Sequence, residues 1–132
     1  MILYTFDVTK PFNLYCDSSD CDVRAVLTQK DNCGFERPIS FISQKLTDTQ
    51  QRWATIEKEA FAIVWALTKL KEVIIGSTIH IFTDYNPLTY LTESMSKSAK
   101  LVRWSLALQT FDVDVKYTNG KLNVVADCLS RL

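Results

Sequence analysis

The chain has 132 residues, 47% of them hydrophobic, and its fifteen Lys and Arg are balanced by fifteen Asp and Glu. This length suits one domain, and the apolar fraction supplies a full core and excludes a disordered chain. With zero net charge there is no bulk electrostatic pull on nucleic acid, so any polyanion site must be local or screened by metal ions.

The four cysteines, Cys16, Cys21, Cys33 and Cys128, include no Cys-x-x-Cys pair, and the one histidine, His80, sits inside an apolar run. That spacing argues against a zinc site. The sequence shows no secretory signal and no apolar run long enough to span a membrane. The cysteines are therefore expected as reduced thiols of an intracellular protein.

Residues 1–11 read as a lead-in segment, closed by Pro11, and residues 12–132 as the domain. Residues 12–17 alternate, with Phe12, Leu14 and Cys16 on one face, and predict a strand ending at Asp17. Ser18, Ser19 and Asp20 form a polar turn. Residues 23–29 predict a second strand, residues 30–36 with Gly34 a hairpin, and residues 37–42 a third strand. Pro38 is tolerable in that strand only near its start or at a sheet edge. Three adjacent strands with short links imply an antiparallel meander.

A long helix follows the polar residues 47–51, with Thr55 as its expected cap and Gly76 as its stop. Ile56, Ala60, Ile63, Leu67 and Leu70 form its apolar stripe, and Glu59 lies about 60° off that stripe by the helical angle per residue. Residues 78–83 are nearly continuous in apolar character, as in a central strand, and end at Asp84. Asn86 and Pro87 open a short helix, residues 94–98 connect, residues 101–110 predict another helix, and residues 111–117 alternate strictly as a strand. A turn at 118–120 leads to a closing helix, capped at Asn123, with Leu122, Val125, Ala126 and Leu129 on one side and Asp127 on another. The element order predicts an α/β fold, a mixed sheet covered by helices.

Asp17 and Asp84 sit where apolar strands run out, which is where ligands bind in open α/β sheets. Glu59 and Asp127, from two helices, are the further acids a site there would need to draw in, and the pattern alone leaves their convergence open. A cluster of four carboxylates is unstable without cations. Oxygen-only ligands suit Mg²⁺ or Mn²⁺, and two such ions clamp both sides of an in-line phosphoryl displacement. Each acid also has an ordinary explanation: Asp17 begins a turn, Asp84 precedes Asn-Pro, Glu59 favours a helix N-terminal region, and Asp127 fits a solvated helix face.

Several pieces then recur in one order: Phe12-x-Leu-x-x-Asp17-Ser-Ser-Asp, Ala25-Val-Leu-x-Gln29 and Pro38-Ile-x-Phe-x-Ser43-x-Lys-Leu46. After them come Glu57-Lys-Glu59-Ala-x-Ala-Ile-Val64, Phe82-Thr-Asp84-x-x-Pro-Leu88, Arg103-Trp104, Tyr117-x-x-Gly120 and Asn123-x-Val-Ala-Asp127-x-Leu-Ser-Arg131. On these pieces the chain resembles the ribonuclease H domain of the reverse transcriptase polyprotein of gypsy-type LTR retrotransposons. The resemblance implies a ribonuclease H-like fold, a five-stranded mixed sheet of three antiparallel strands followed by two parallel ones, flanked by helices. It implies Asp17, Glu59, Asp84 and Asp127 as the catalytic, metal-binding acids. Glu59 is preferred to Glu57 because it precedes the Ala-x-Ala-Ile-Val run as the family's acid does.

The implied reaction is two-metal hydrolysis of the RNA strand of an RNA–DNA hybrid by an endonuclease using Mg²⁺, with Mn²⁺ as a substitute. Selectivity would come from minor-groove shape and 2′-hydroxyl contacts. Candidate substrate contacts are Ser18, Ser19 and Asn86 beside the acids, with Lys100 and Arg103 for phosphates. The implied partners are the hybrid and the polymerase domain and integrase of the same polyprotein, with no membrane, in a cytoplasmic retroelement particle or in the nucleus. Two positions depart from the family pattern: Arg24 stands where glycine is usual, and Tyr85 where histidine is frequent. No Tyr-x-Asp-Asp polymerase motif is present, so the chain reads as a polyprotein fragment or a gene remnant starting at Met1. The competing function is a catalytically inactive, ribonuclease H-like remnant or domesticated nucleic-acid- or protein-binding module.

Overall fold

The computed structural model describes residues 6–83 and 99–117, with residues 99–102, 105 and 114–117 as backbone only. Three strands, β1 (Phe12–Ser18), β2 (Asp22–Lys30) and β3 (Glu36–Lys45), form the expected antiparallel meander. Three helical segments follow: α1 (Asp48–Gln51), α2 (Thr55–Lys69) and α3 (Lys71–Ile74). Then come β4 (Thr78–Thr83), α4 (Ala99–Leu108) and β5 (Asp112–Tyr117). The sheet order is β3-β2-β1-β4-β5, with β1–β4 and β4–β5 parallel. This is the five-stranded mixed sheet, three antiparallel strands and then two parallel ones.

Local chemistry explains most element ends. Between β2 and β3, Asp31 Oδ1 accepts the backbone N–H groups of Cys33 and Phe35, and Gly34 takes φ +85°, a region that suits glycine. Pro38 lies near the start of an edge strand, where the register slips by one residue between Leu27 and Thr28. Helix α1 carries a reciprocal capping box: Thr47 Oγ1 accepts from the Gln50 N–H and Gln50 Oε1 from the Thr47 N–H. The cap of α2 differs from expectation. Ala54 rather than Thr55 is the N-cap, and Glu57 Oε1 accepts the Ala54 N–H at 3.3 Å. An alanine can hold that position because the carboxylate at the third helical residue serves the free donor. The helical segment ends in two steps, a break at Leu70 and then Gly76 at φ +83°. The third strand runs three residues beyond the predicted end at residue 42, because β2 offers partners as far as Asp22 for Lys45.

One core lies between the sheet and α2. Phe12, Leu14, Val23, Leu27, Ile79 and Ile81 face Ala62, Ile63, Ala66 and Leu67, all at most 1% exposed. Two alanines in the centre of the helix face let α2 settle close to the strands. Trp53, Phe61 and Trp104 form an aromatic cluster that ties α4 to α2, with ring centroids 5.5–6.1 Å apart. Residues 6–10 are bound to the sheet: Gln29 exchanges two hydrogen bonds with the backbone of Asp7, and Ser77 Oγ donates to the Val8 carbonyl.

The expected short helix after Asn86, the connection at 94–98, the turn at 118–120 and the closing helix lie outside the described residues, as do Tyr85 and Cys128. Cys16 is buried, and Cys21 and Cys33 are exposed. Among the described residues no helix is long and apolar enough to cross a membrane.

Ile81 is fully buried in the inner parallel strand β4, so Ile81→Ala is expected to cost about 2–5 kcal/mol in urea unfolding. The Asp31 carboxyl lies below its ordinary value of 3.8, first because Arg37 Nε donates to it at 2.9 Å and then through the backbone N–H groups. A depressed carboxyl contributes stability above its unfolded pKa and loses it as pH falls through the lower folded value. A carboxyl-detected NMR titration should place Asp31 below 3.8, and Arg37→Ala should raise its midpoint.

Candidate active site at the end of the first strand

The site begins with a difference in strand pairing. Among the described residues, β1 pairs with β4 from Phe12↔Ile79 to Tyr15↔Phe82 and with β2 as far as Ser18↔Val23. Cys16, Asp17 and Ser18 follow the last of these β1–β4 pairs along the strand. At this point β1 meets an antiparallel strand on one side and a parallel strand on the other, the switch in topology where α/β sheets open a crevice. Thr83, the last residue of β4, is fully buried, and among the described residues its Oγ1 has no hydrogen-bond partner.

Side-chain alternation splits the two residues at the end of β1. Ser18 shares the pleat face of Cys16, Leu14 and Phe12, the face under α2. Its Oγ donates to Glu59 Oε1 at 2.7 Å. Asp17 lies on the other pleat face, directly opposite Arg24 of β2. Arg24 Nη2 is 3.0 Å from Asp17 Oδ2, and Arg24 Nε is 3.8 Å from Asp22 Oδ1. One guanidinium thus stands between two carboxylates.

Glu59 is more deeply placed than the periodicity predicts. It is 4% exposed and falls on one row with Ile63, Ala66 and Leu70, in the middle of the buried arc rather than beside it. Ala62 and Ala66 shift the centre of that arc, because small residues carry little weight in an apolar stripe but make the closest approach to the sheet. Glu57 is occupied at the start of α2 with the Ala54 N–H. Lys58, 7% exposed, donates from Nζ to the Asp20 carbonyl at 3.4 Å and ties α2 to the β1–β2 turn.

Ser19 builds that turn. Its Oγ donates to Asp22 Oδ1 at 2.6 Å and accepts the Cys21 and Asp22 N–H groups. The pattern Ser-x-x-Asp is the sequence signal for this role. Arg103 is exposed on α4, one residue before the aromatic cluster. Asp84, Asn86 and Asp127, and the side chain of Lys100, lie outside the described residues. Of the expected site residues, the structure thus brings Ser18 and Glu59 into contact and sets Asp17 beside them in sequence. Sequence reasoning missed the Ser18–Glu59 bond and the Arg24–Asp17 pair.

Among the described residues no three His, Cys, Asp or Glu side chains gather to hold a metal ion. The donors at the strand end are nonetheless the right kind. Asp17 and Glu59 supply carboxylate oxygens, and the Ser18 hydroxyl donates to the buried one. Hard oxygens without nitrogen or thiolate favour Mg²⁺ or Mn²⁺ over zinc.

Residues 7–111 match the family described as the RNase H-like domain found in reverse transcriptase. The chain is 44% identical over 125 residues to the retrovirus-related Pol polyprotein from transposon opus of Drosophila melanogaster, covering 94% of this chain and 12% of that protein. It is 43% identical over 132 residues to the corresponding polyprotein from transposon gypsy of the same organism, covering 99% of this chain and 12% of that one. The chain therefore spans about an eighth of the length of these curated relatives. Among solved structures, ribonuclease H1 from the archaeon Halobacterium salinarum superposes with a TM-score of 0.60 at 14% identity, covering 92% of this chain and 99% of that one. The foamy viral protease-reverse transcriptase in complex with an RNA/DNA hybrid superposes with a TM-score of 0.65 at 16% identity, covering 84% of this chain and 15% of that one. These two show the fold. Sheet order and family match agree: the chain belongs to the RNase H-like domains found in reverse transcriptase.

Proposed function

We propose that this domain is an endonuclease that hydrolyses the RNA strand of an RNA–DNA hybrid with Mg²⁺ or Mn²⁺. The observation that carries the reading is Glu59, a carboxylate 4% exposed and oriented by Ser18, the residue that follows Asp17 at the end of β1. A buried carboxylate is costly to keep charged, and its placement is explained if a cation shares the site. Asp17 and Glu59, with Asp84 and Asp127 outside the described residues, would hold two ions. Bound there, the metal would supply an activated water and neutralise charge on the scissile phosphate. Ser18 holds the Glu59 carboxylate in one orientation by directing its proton at Oε1. Ser19, Asn86, Lys100 and Arg103 would guide the hybrid, whose recognition relies on backbone shape and 2′-hydroxyls.

With zero net charge the domain holds little electrostatic affinity of its own, so hybrid binding would draw on the polymerase domain of the same polyprotein. The integrase would be a further neighbour. The working place is the interior of the cell, in a retroelement particle or in the nucleus. One observation favours a second reading, an inactive binding module: Arg24 places a guanidinium 3.0 Å from Asp17, where a metal ion would have to bind.

The test is a labelled hybrid incubated with the domain, alone and fused to its polymerase domain, with Mg²⁺ or Mn²⁺. Cleavage confined to the RNA strand is expected, abolished by Asp84→Asn and lowered at least about 100-fold by Glu59→Gln. No cleavage by the fused protein with either metal selects the inactive module. Ser18→Ala is expected to lower the rate about 10- to 100-fold and to destabilise the domain by about 1–3 kcal/mol in urea unfolding, because Glu59 loses a donor.

A further inference from the structure

We propose that Arg24 is a built-in counter-cation of the carboxylate site: it neutralises Asp17 in the metal-free domain and competes with the divalent ion for Asp17 Oδ2. This rests on the reading of Asp17 as a metal ligand. The register of the sheet sets Arg24 in place, because Asp17 and Arg24 are directly opposed in the antiparallel β1–β2 pair. Two residues so opposed project to the same face, within reach of one another. The Asp17 side chain is 14% exposed and that of Arg24 is 44% exposed, with Nη2 at 3.0 Å from Oδ2. A cation that takes Asp17 Oδ2 must therefore displace the guanidinium or share the oxygen with it. To give up that oxygen the guanidinium must move.

A second carboxylate gives it a place to go. Arg24 Nε already lies 3.8 Å from Asp22 Oδ1, and the Ser19 hydroxyl holds that oxygen at 2.6 Å. Release from Asp17 therefore leaves the positive charge beside Asp22, on the same β-turn, with only a change in side-chain rotamer. The two seats make the exchange reversible. Because the pair is partly exposed, its effect on metal affinity is modest, about two- to five-fold by the strength of such pairs. The consequence is a site that stays electrostatically quiet without metal and fills at a higher metal concentration than its carboxylates alone would require.

The experiment measures Mn²⁺ binding to the full chain, without substrate, by the loss of the free-ion electron paramagnetic resonance signal. Arg24→Ala and Arg24→Gln are expected to bind Mn²⁺ about two- to five-fold more tightly than the unchanged chain. Arg24→Lys, which keeps the charge and loses the planar fork, should fall between. Asp22→Asn, which removes the second seat, should weaken binding, and Asp17→Asn should weaken it most. Thermal melting identifies the variants that fold, and the three Arg24 substitutions stand in for one another. Equal or weaker binding in the Arg24 variants, with binding still dependent on Asp17, overturns the role of Arg24 and leaves the metal site intact. No Mn²⁺ binding by any of the proteins overturns the metal site and Arg24's role together.

Discussion

Among the described residues the parallel pairing of β1 with β4 runs as far as Tyr15 and Phe82, and Asp17 and Ser18 lie on β1 just past that pair, where α2 brings in Glu59. Each strand continues, but with a different neighbour: β1 with β2 through Ser18, and β4 with β5 through Thr83. The carboxyl ends of β1 and β4 lie side by side in the sheet, and side chains from both pleat faces of β1 stand there. Asp17 and Ser18, one residue apart, thereby serve opposite faces of the same strand end. Tyr15 and Phe82 stack at 4.8 Å on the face of Asp17.

Helix α2 completes the arrangement through its smallest residues. Ala62 and Ala66 are fully buried and bring the helix close to the sheet, with Ile63 and Leu67 filling the space beside them. Glu59 lies one turn before Ile63 on the same row, so the packing that forms the core also carries a carboxylate to the strand end. Its bond from Ser18 links the two elements at that end. Stability and site geometry are thus coupled in this region.

The opposite pleat face is wetter and has its own electrostatics. Arg24 mediates between Asp17 and Asp22, and Ser19 holds Asp22 while shaping the turn. Arg24 therefore has a defined partner. It changes the charge that meets Asp17 without changing the strand that carries it.

Much of this was legible in the chain. The alternation of Phe12, Leu14 and Cys16, the turn at Gly34 and the apolar run before Asp84 determine the element order, because strand periodicity and glycine's left-handed freedom are local properties. The acids at strand ends were visible for the same reason. What the tertiary structure decided is contact across distance. The depth of Glu59, its pairing with Ser18 forty-one positions away, and the opposition of Asp17 and Arg24 depend on how closely a helix seats and which residues the register faces. Alanines at the helix–sheet contact give no strong periodic signal, and register is a property of two strands together. Sequence determined which residues could form the site; packing and register decided which of them meet.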